Sequence, residues 1–284
     1  MKSEELRFEV NGHLIAAKAW GDSAAMPVIA LHGWLDNAAT FNRLAPLLKG
    51  VRLIAVDLMG HGYSDHRPAS MPYYIWDNVL DVFGVAEQLG LKRFDLLGHS
   101  MGASIAMLVA GAYPEKISQL MLIEGIAPLV TEAENTAEQL AVAINKRNRM
   151  QGRQQKAYSS LESAVRARMN GRWPVAAQAA QWLVERGIVQ RDGGFFWRND
   201  PGLVLPSIMR LSQPQVESFI RRVAAPTLLV LGEEGIAQSQ RCISLFKSIQ
   251  CEVLAGGHHL HLESQAAASI AMLINEKRLK LHHK

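Results

Sequence analysis

Only two cysteines occur in 284 residues, Cys242 and Cys251, so there is no disulfide framework to read and the expected compartment is reducing. No stretch approaches the ~18 consecutive apolar residues that a membrane span needs. The opening Met1-Lys2-Ser3-Glu4-Glu5-Leu6-Arg7-Phe8 carries acids where an export signal would begin its apolar run. Together these absences set the expectation of a cytoplasmic protein without membrane contact. Charge of one sign is also lacking, with 30 Lys and Arg against 26 Asp and Glu and a net charge of +4. The densest basic groups are Lys146-Arg147-Asn148-Arg149, Arg221-Arg222 and the tail from Lys277, and they read as solvated helix faces rather than a nucleic-acid groove. Internal repeats, low-complexity tracts and a Walker or Rossmann phosphate loop are missing. Gly60-His61-Gly62 precedes no suitable helix and reads as a turn. The partner expected is therefore a small molecule, no cofactor is called for, and monomer and homodimer both stay open.

What is present suits a globular domain with a sizeable core: 49% hydrophobic residues and 20% charged. Arg7 to Val10 and Leu14 to Trp20, split by Asn11-Gly12, predict an opening hairpin. Val28 to Leu31 and Arg52 to Asp57 predict buried strands, Tyr74 to Leu89 a helix, and Gln119 to Glu124 a further strand. That rhythm implies a mostly parallel sheet with helices on both faces. From about Ala127 to Val223 the pattern turns helical, over Thr131 to Met150, Leu161 to Met169 and Val175 to Arg186, with a turn at Asp192-Gly193-Gly194. The α/β rhythm resumes with a strand from Pro226 to Gly232, a helix from Gln238 to Ile249, a strand from Cys251 to Leu254 and a helix from Glu263 to Asn275. The expected organisation is a core of residues 1–126 and 224–284 with a helical cap, 127–223, inserted over the strand ends.

Gly98-His99-Ser100-Met101-Gly102 is a G-x-S-x-G between an apolar run and a helix-compatible one, the context that a nucleophile elbow requires. The turn would lift the Ser100 hydroxyl into an open site and aim the Met101 amide at a developing oxyanion. A serine needs a base, and His258, late in the chain after a strand and two glycines, fits the order nucleophile, acid, histidine. His259 and His261 are its neighbours. A metal set made of these three histidines lacks a matching acid or cysteine cluster, so no metal is expected. His32-Gly33-Trp34 ends an early strand, and the Trp34 amide is the candidate second oxyanion donor. The His32 side chain reads mainly as a loop-shaping group, kept with Trp34, Trp182 and Trp197 on the list of pocket residues. Trp173, Phe195 and Phe196 add aromatic surface to the insertion, where packing of the cap onto the sheet accounts for most of it.

Leu31 to Trp34, Asp57 to Ser64, Gly98 to Gly102 and Gly257 to Glu263 together resemble the α/β-hydrolase fold superfamily, in order and spacing over almost the whole chain. Within it, His32-Gly33-Trp34-Leu35-Asp36-Asn37, Trp197-Arg198-Asn199-Asp200-Pro201 and Gly257 to Glu263 resemble the serine hydrolase-like branch. The resemblance implies a mostly parallel eight-stranded sheet, helices on both faces, a cap and a Ser-His-acid triad. It also exposes a departure. Many relatives place an aspartate three residues after the glycine that matches Gly232, and here Gly235 stands there. Two substitutes are open: Glu233 or Glu234 on a shifted loop, or Glu124 at the end of the neighbouring strand, an arrangement similar to that of haloalkane dehalogenases. An acid at a strand end beside the nucleophile strand, followed at once by Gly125, favours Glu124. Ser100 argues against the carboxylate nucleophile of dehalogenases and epoxide hydrolases. The expected activity is a cofactor-independent serine hydrolase, carboxylesterase-like, acting on an ester, thioester or lactone of a small apolar substrate. A carbon–carbon bond hydrolase with the same triad and a non-enzymatic ligand-binding protein are the alternatives.

Overall fold

The computed structural model describes residues 1–150 and 155–282, with side chains as far as Arg278. The closing His283-Lys284 lies outside the described residues. An antiparallel pair opens the chain, β1 (Ser3–Val10) and β2 (His13–Trp20), with Asn11 and Gly12 both at positive φ in the turn. The chain continues through β3 (Met26–Leu31), β4 (Val51–Val56), α1 (Asp77–Gln88), β5 (Phe94–His99), α2 (Met101–Ala112) and β6 (Ile117–Ile123). The segment above the sheet holds α3 (Thr136–Met150), α4 (Leu161–Met169), α5 (Ala177–Gly187) and a small hairpin, β7 (Ile188–Arg191) and β8 (Gly194–Trp197). Then come α6 (Gln213–Arg222), β9 (Thr227–Glu234), α7 (Gln240–Ser244), β10 (Ile249–Gly257) and α8 (Ser264–His282). Eight strands form one sheet in the order β1-β2-β4-β3-β5-β6-β9-β10. β2 is antiparallel to both its neighbours, and every pairing from β4 onward is parallel.

Parallel strands covered on both faces must be apolar on both, and β5 and β6 are almost entirely buried. Two hydrophobic clusters flank the sheet. One contains Val82 and Val85 of α1, Met107 and Val109 of α2 and Val216 and Ile220 of α6; the other contains Phe41, Leu44, Ile270 and Ile274. α2 leaves Ser100 and runs beneath the sheet with every residue from Gly102 to Gly111 buried, so the Ser100 turn stands on an enclosed helix. Among the described residues, no helix is long and apolar enough to cross a membrane.

Two helix boundaries differ from the sequence expectation, and the packing of α6 bears on where the insertion ends. α6 packs on α2, with Phe219 against Gly111 and the Arg222 Nε donating to the Gly111 carbonyl at 2.8 Å. We therefore propose that the cap ends near Leu211 and that α6 belongs to the core. The helix expected at 238–249 is the single short α7, because Ile249 is already paired with Thr227 as the first residue of β10. α8 continues well past Asn275, to His282.

The loops after β3 and β4 are tied to each other by two buried histidines. His32 Nε2 accepts from the Leu58 amide at 3.0 Å, and His61 Nε2 accepts from the Leu35 amide at 3.2 Å. Each ring's Nδ1 faces a backbone carbonyl, of Gly33 at 2.7 Å and of Met59 at 3.1 Å, which fixes the proton on Nδ1. Burial pushes His32 down to about 4, and burial with the facing His32 ring pushes His61 down to about 3. The same loops carry a buried ion pair. The Asp57 carboxylate accepts from the Ala38 and Tyr63 amides at 2.7 and 2.9 Å and from Arg186 Nε of α5 at 2.9 and 3.0 Å. Arg186 Nη1 reaches Glu5 of β1 at 2.7 Å, so one cap side chain joins the cap to two parts of the core.

Two outcomes follow for stability. His32 and His61 refuse protons in the folded state that the unfolded chain takes up below its ordinary value near 6.5. Stability measured by urea unfolding therefore falls with acid from about pH 6.5 down to about 4, by roughly 1.4 kcal/mol per pH unit for each histidine, and His61→Gln flattens that slope. Arg186→Met leaves Asp57 as an uncompensated buried charge and lowers stability by roughly 3–5 kcal/mol in the same measurement.

Candidate active site

Ser100 lies between the end of β5 and the start of α2, with φ 53° and ψ −116°. This conformation is strained for a residue with a Cβ, costing on the order of 1–3 kcal/mol, and it needs glycine around it. A Cβ at 98 would overlap the backbone of Gly102 and Ala103, and a Cβ at 102 would overlap the Leu31 carbonyl of the adjacent strand. Both glycines of the motif are thus required by close backbone approach.

Three residues far apart in sequence meet at this turn. His258 Nε2 is 2.9 Å from Ser100 Oγ, and His258 Nδ1 is 3.0 Å from Glu124 Oε2. Glu124 ends β6 in the left-handed region, at φ 54°, and its carboxylate is buried. It accepts from the amides of Gly232, in β9, and Ile236, on the loop after it, each at 2.7 Å. Gly235 belongs to that loop, and a Cβ there would run into the Glu124 carboxylate. The residue that departs from the common pattern is therefore the residue whose missing side chain makes room for Glu124. Glu233 and Glu234 are exposed on β9, and no described contact joins either of them to His258.

β10 delivers His258 through an irregularity between Leu254 and Gly257, where Gly256 adopts φ 136°. The loop behind it is pinned. His99 Nε2 donates to the His258 carbonyl at 2.8 Å, and His261 Nε2 pairs with Thr40 Oγ1 at 2.8 Å. The neighbouring loop at Gly33 lies so close that a Cβ there would stand 3.3 Å from Ser100 Cβ.

A cavity of about 500 Å³ opens above Ser100 and His258, within the range of small-molecule sites. Trp34, Trp173, Trp197, Tyr158, Met150 and Val204 supply most of its apolar wall. The Trp173 ring lies 4.7 Å from the His258 ring, and Trp34 Nε1 donates to the Leu203 carbonyl across the mouth at 2.9 Å. Two residues expected in the pocket are elsewhere. Trp182 packs under the Arg43 guanidinium, 5.1 Å from its ring, because α5 turns its apolar face toward Leu262. His32 is fully buried beneath the loop, tied to Leu58 and Gly33.

Sequence reasoning missed what the two branch motifs do together. Asn37 donates to the Leu183 carbonyl of α5 at 2.9 Å, and Asn199 donates to the Leu35 carbonyl at 3.0 Å. Asp36 accepts from Arg168 of α4 at 3.0 Å, and Asp200 accepts from the Tyr73 hydroxyl at 2.7 Å. Residues 35–37 and 197–201 are thus two halves of the seam between cap and core. The signal was there in Leu35-Asp36-Asn37 and Asn199-Asp200, but an Asx residue in a loop reads as a turn former until its partner is known.

Residues 26–265 match the sequence model of the alpha/beta hydrolase fold family. A serine hydrolase-like protein of Dictyostelium discoideum is 32% identical over 93% of this chain and 80% of its own length. One of Danio rerio is 30% identical over 94% of this chain and 86% of its own. Among solved structures, a hypothetical protein from Pseudomonas aeruginosa PAO1 is 43% identical with a TM-score of 0.92, covering 97% of this chain and 99% of that one. The thioesterase domain from the curacin biosynthetic pathway is 27% identical with a TM-score of 0.86, covering 96% and 99%. With the eight-stranded sheet, the strained serine turn and these likenesses in hand, the chain belongs to the alpha/beta hydrolase fold family and, within it, to the serine hydrolase-like branch.

Proposed function

We propose that the protein is a serine hydrolase that cleaves an ester or thioester of a small apolar acyl group through an acyl-enzyme, with Ser100 as nucleophile, His258 as base and Glu124 as the acid. The observation that carries this reading is the unbroken chain from Glu124 Oε2 to His258 Nδ1, 3.0 Å, and from His258 Nε2 to Ser100 Oγ, 2.9 Å. Glu124 accepts a hydrogen bond from Nδ1–H, which keeps that proton on Nδ1 and leaves the Nε2 lone pair facing the serine hydroxyl. As Ser100 Oγ attacks the carbonyl carbon, its proton passes to His258 Nε2 and the carbonyl oxygen becomes an oxyanion. The Met101 amide at the start of α2 receives it. In the facing loop the Leu35 and Asp36 amides are already used, by His61 Nε2 and the Gly33 carbonyl, which supports Trp34 as the second donor. Collapse breaks the bond to the alcohol or thiol, which leaves with the proton from His258. Water then attacks the acyl carbon as His258 takes its proton; the bond to Ser100 Oγ breaks, His258 returns the proton to Oγ, and the acid is released.

The apolar wall and modest size of the cavity support a small acyl or alcohol part. Likeness to the curacin thioesterase domain supports the thioester option. The cap and the point between β3 and β5, where the strand order reverses, enclose the site as open α/β sheets do at ligand sites.

Glu124→Gln is expected to lower kcat by on the order of 10³–10⁴-fold while Glu233→Gln and Glu234→Gln stay near wild type, measured with nitrophenyl esters of graded chain length. Labelling of the wild type by a fluorophosphonate, absent in Ser100→Ala, separates the enzyme from a ligand-binding protein on the same scaffold. Turnover by Glu124→Gln equal to wild type, or activity confined to long acyl chains, refutes the corresponding part of the reading.

A further inference from the structure

Beside the triad lies a second cluster of titratable groups that the hydrolytic reading does not use. Asp36, His99 and His259 are buried, one ligand atom of each lies within 4.8 Å of the others, and all three border the cavity. One carboxylate and two imidazoles make the mixed oxygen and nitrogen set that suits first-row transition dications. The sequence pairs His259 only with other histidines; the fold brings it Asp36 from the loop after β3 and His99 from the end of β5.

The hydrogen bonds of this cluster favour ligation. His99 Nε2 faces the His258 carbonyl at 2.8 Å, and a carbonyl only accepts, so the proton sits on Nε2 and the lone pair on Nδ1. That Nδ1 is buried and has no hydrogen-bond partner among the described residues. A ring whose far nitrogen is anchored to a backbone carbonyl is oriented as metal-ligating histidines are. Gly33 preserves the space in front of it, since a Cβ there would stand 3.0 Å from Nδ1.

His259 is frustrated. Its Nε2 lies 2.9 Å from Asp36 Oδ2 and 3.1 Å from Arg168 Nη2, an acceptor and a donor that one ring nitrogen cannot serve together. Its Nδ1 is buried without a partner. Arg168, from α4 of the cap, also binds Asp36 Oδ1 at 3.0 Å and so fills the seat of a cation. Asp36 is thus a buried carboxylate whose cationic partner is Arg168.

We propose that Asp36, His99 and His259 form a site for a Zn²⁺-like transition dication, which competes with the Arg168 guanidinium for Asp36. Ligand bonds of about 2.0–2.2 Å put the three ligand atoms roughly 3.3–3.5 Å apart, so the side chains draw in by about an ångström as Arg168 leaves. The fourth position faces the cavity and takes water. Arg168 Nη1 also donates to the Trp173 carbonyl at 2.9 Å, and the Trp173 ring covers His258 at 4.7 Å. Metal binding therefore loosens the cover over the base without touching Ser100, and slows turnover.

Co²⁺ titration of the full chain tests this, because a four-coordinate site gives visible bands far stronger than those of the aqueous ion. The expected result is saturable bands that persist in Ser100→Ala and when both His282 and His283 are changed to Gln. Asp36→Asn and His259→Gln weaken binding by at least about 10–100-fold. Arg168→Gln tightens it about tenfold, the sign expected for removal of a competing cation. Reversal of Zn²⁺ inhibition by a chelator is the matching result in an ester assay, and the Co²⁺ bands stand independently of what Ser100 attacks. Absence of bands at millimolar Co²⁺ overturns the proposal. Bands that survive both Asp36→Asn and His259→Gln, or that vanish with the tail histidines, overturn it as well. If those two variants do not fold, Arg168→Gln decides alone, and unchanged affinity there refutes the site.

Discussion

The backbone of Ser100 is the constraint on which the rest of the site depends. A residue at φ 53° and ψ −116° holds only if its surroundings leave it no alternative. The buried strands β3, β5 and β6 provide that confinement, and so does α2, which is enclosed along most of its length. Gly98 and Gly102 let the chain double back, and the Leu31 strand closes in against Gly102. From this turn the geometry propagates: the helix start aims its amides toward the serine, and the register of β5 with β6 sets Glu124 one strand away.

Much of this was legible in the residues. The motif Gly98 to Gly102 announced its own turn, because each glycine there answers a local steric demand. The apolar runs of β3 to β6 announced buried parallel strands, because strands covered on both faces have no polar face to mislead. The acid was legible as an anomaly: a charged residue at the end of a buried run, followed by glycine, is costly without a partner. Gly235 was legible as an absence, though only the fold shows that its missing Cβ is the space the Glu124 carboxylate fills.

What stayed hidden depends on contacts between distant segments. α6 carries Val216, Phe219 and Ile220 at helical spacing, a readable amphipathic stripe, yet sequence does not say whether such a stripe faces a cap or a core. Trp182 was placed in the pocket on its size and apolarity, and the rotation of α5 sends it to Arg43 instead. His32 reads as a loop-shaping group, but its partner, and the matching role of His61, do not show in the sequence. Only the positions of Leu58 and Leu35 show that they act as hydrogen-bond acceptors between two loops. The seam at residues 35–37 and 197–201 has the same character, since each polar side chain there makes sense only beside its partner more than a hundred residues away.

The shared register of β5 and β6 pairs His99 with Ile123, so Ser100 and Glu124 leave adjacent strands at the same level, both at positive φ. Both are fixed to one rigid body, separated by a strand spacing that no loop motion changes. His258 alone arrives from elsewhere, on the irregular end of the edge strand β10. Alignment of the three groups thus reduces to the path of one short segment, through Gly256 and Gly257. Chain divergence can then remodel the cavity wall, provided that this loop and the Arg186–Asp57 tie between cap and core keep their seats.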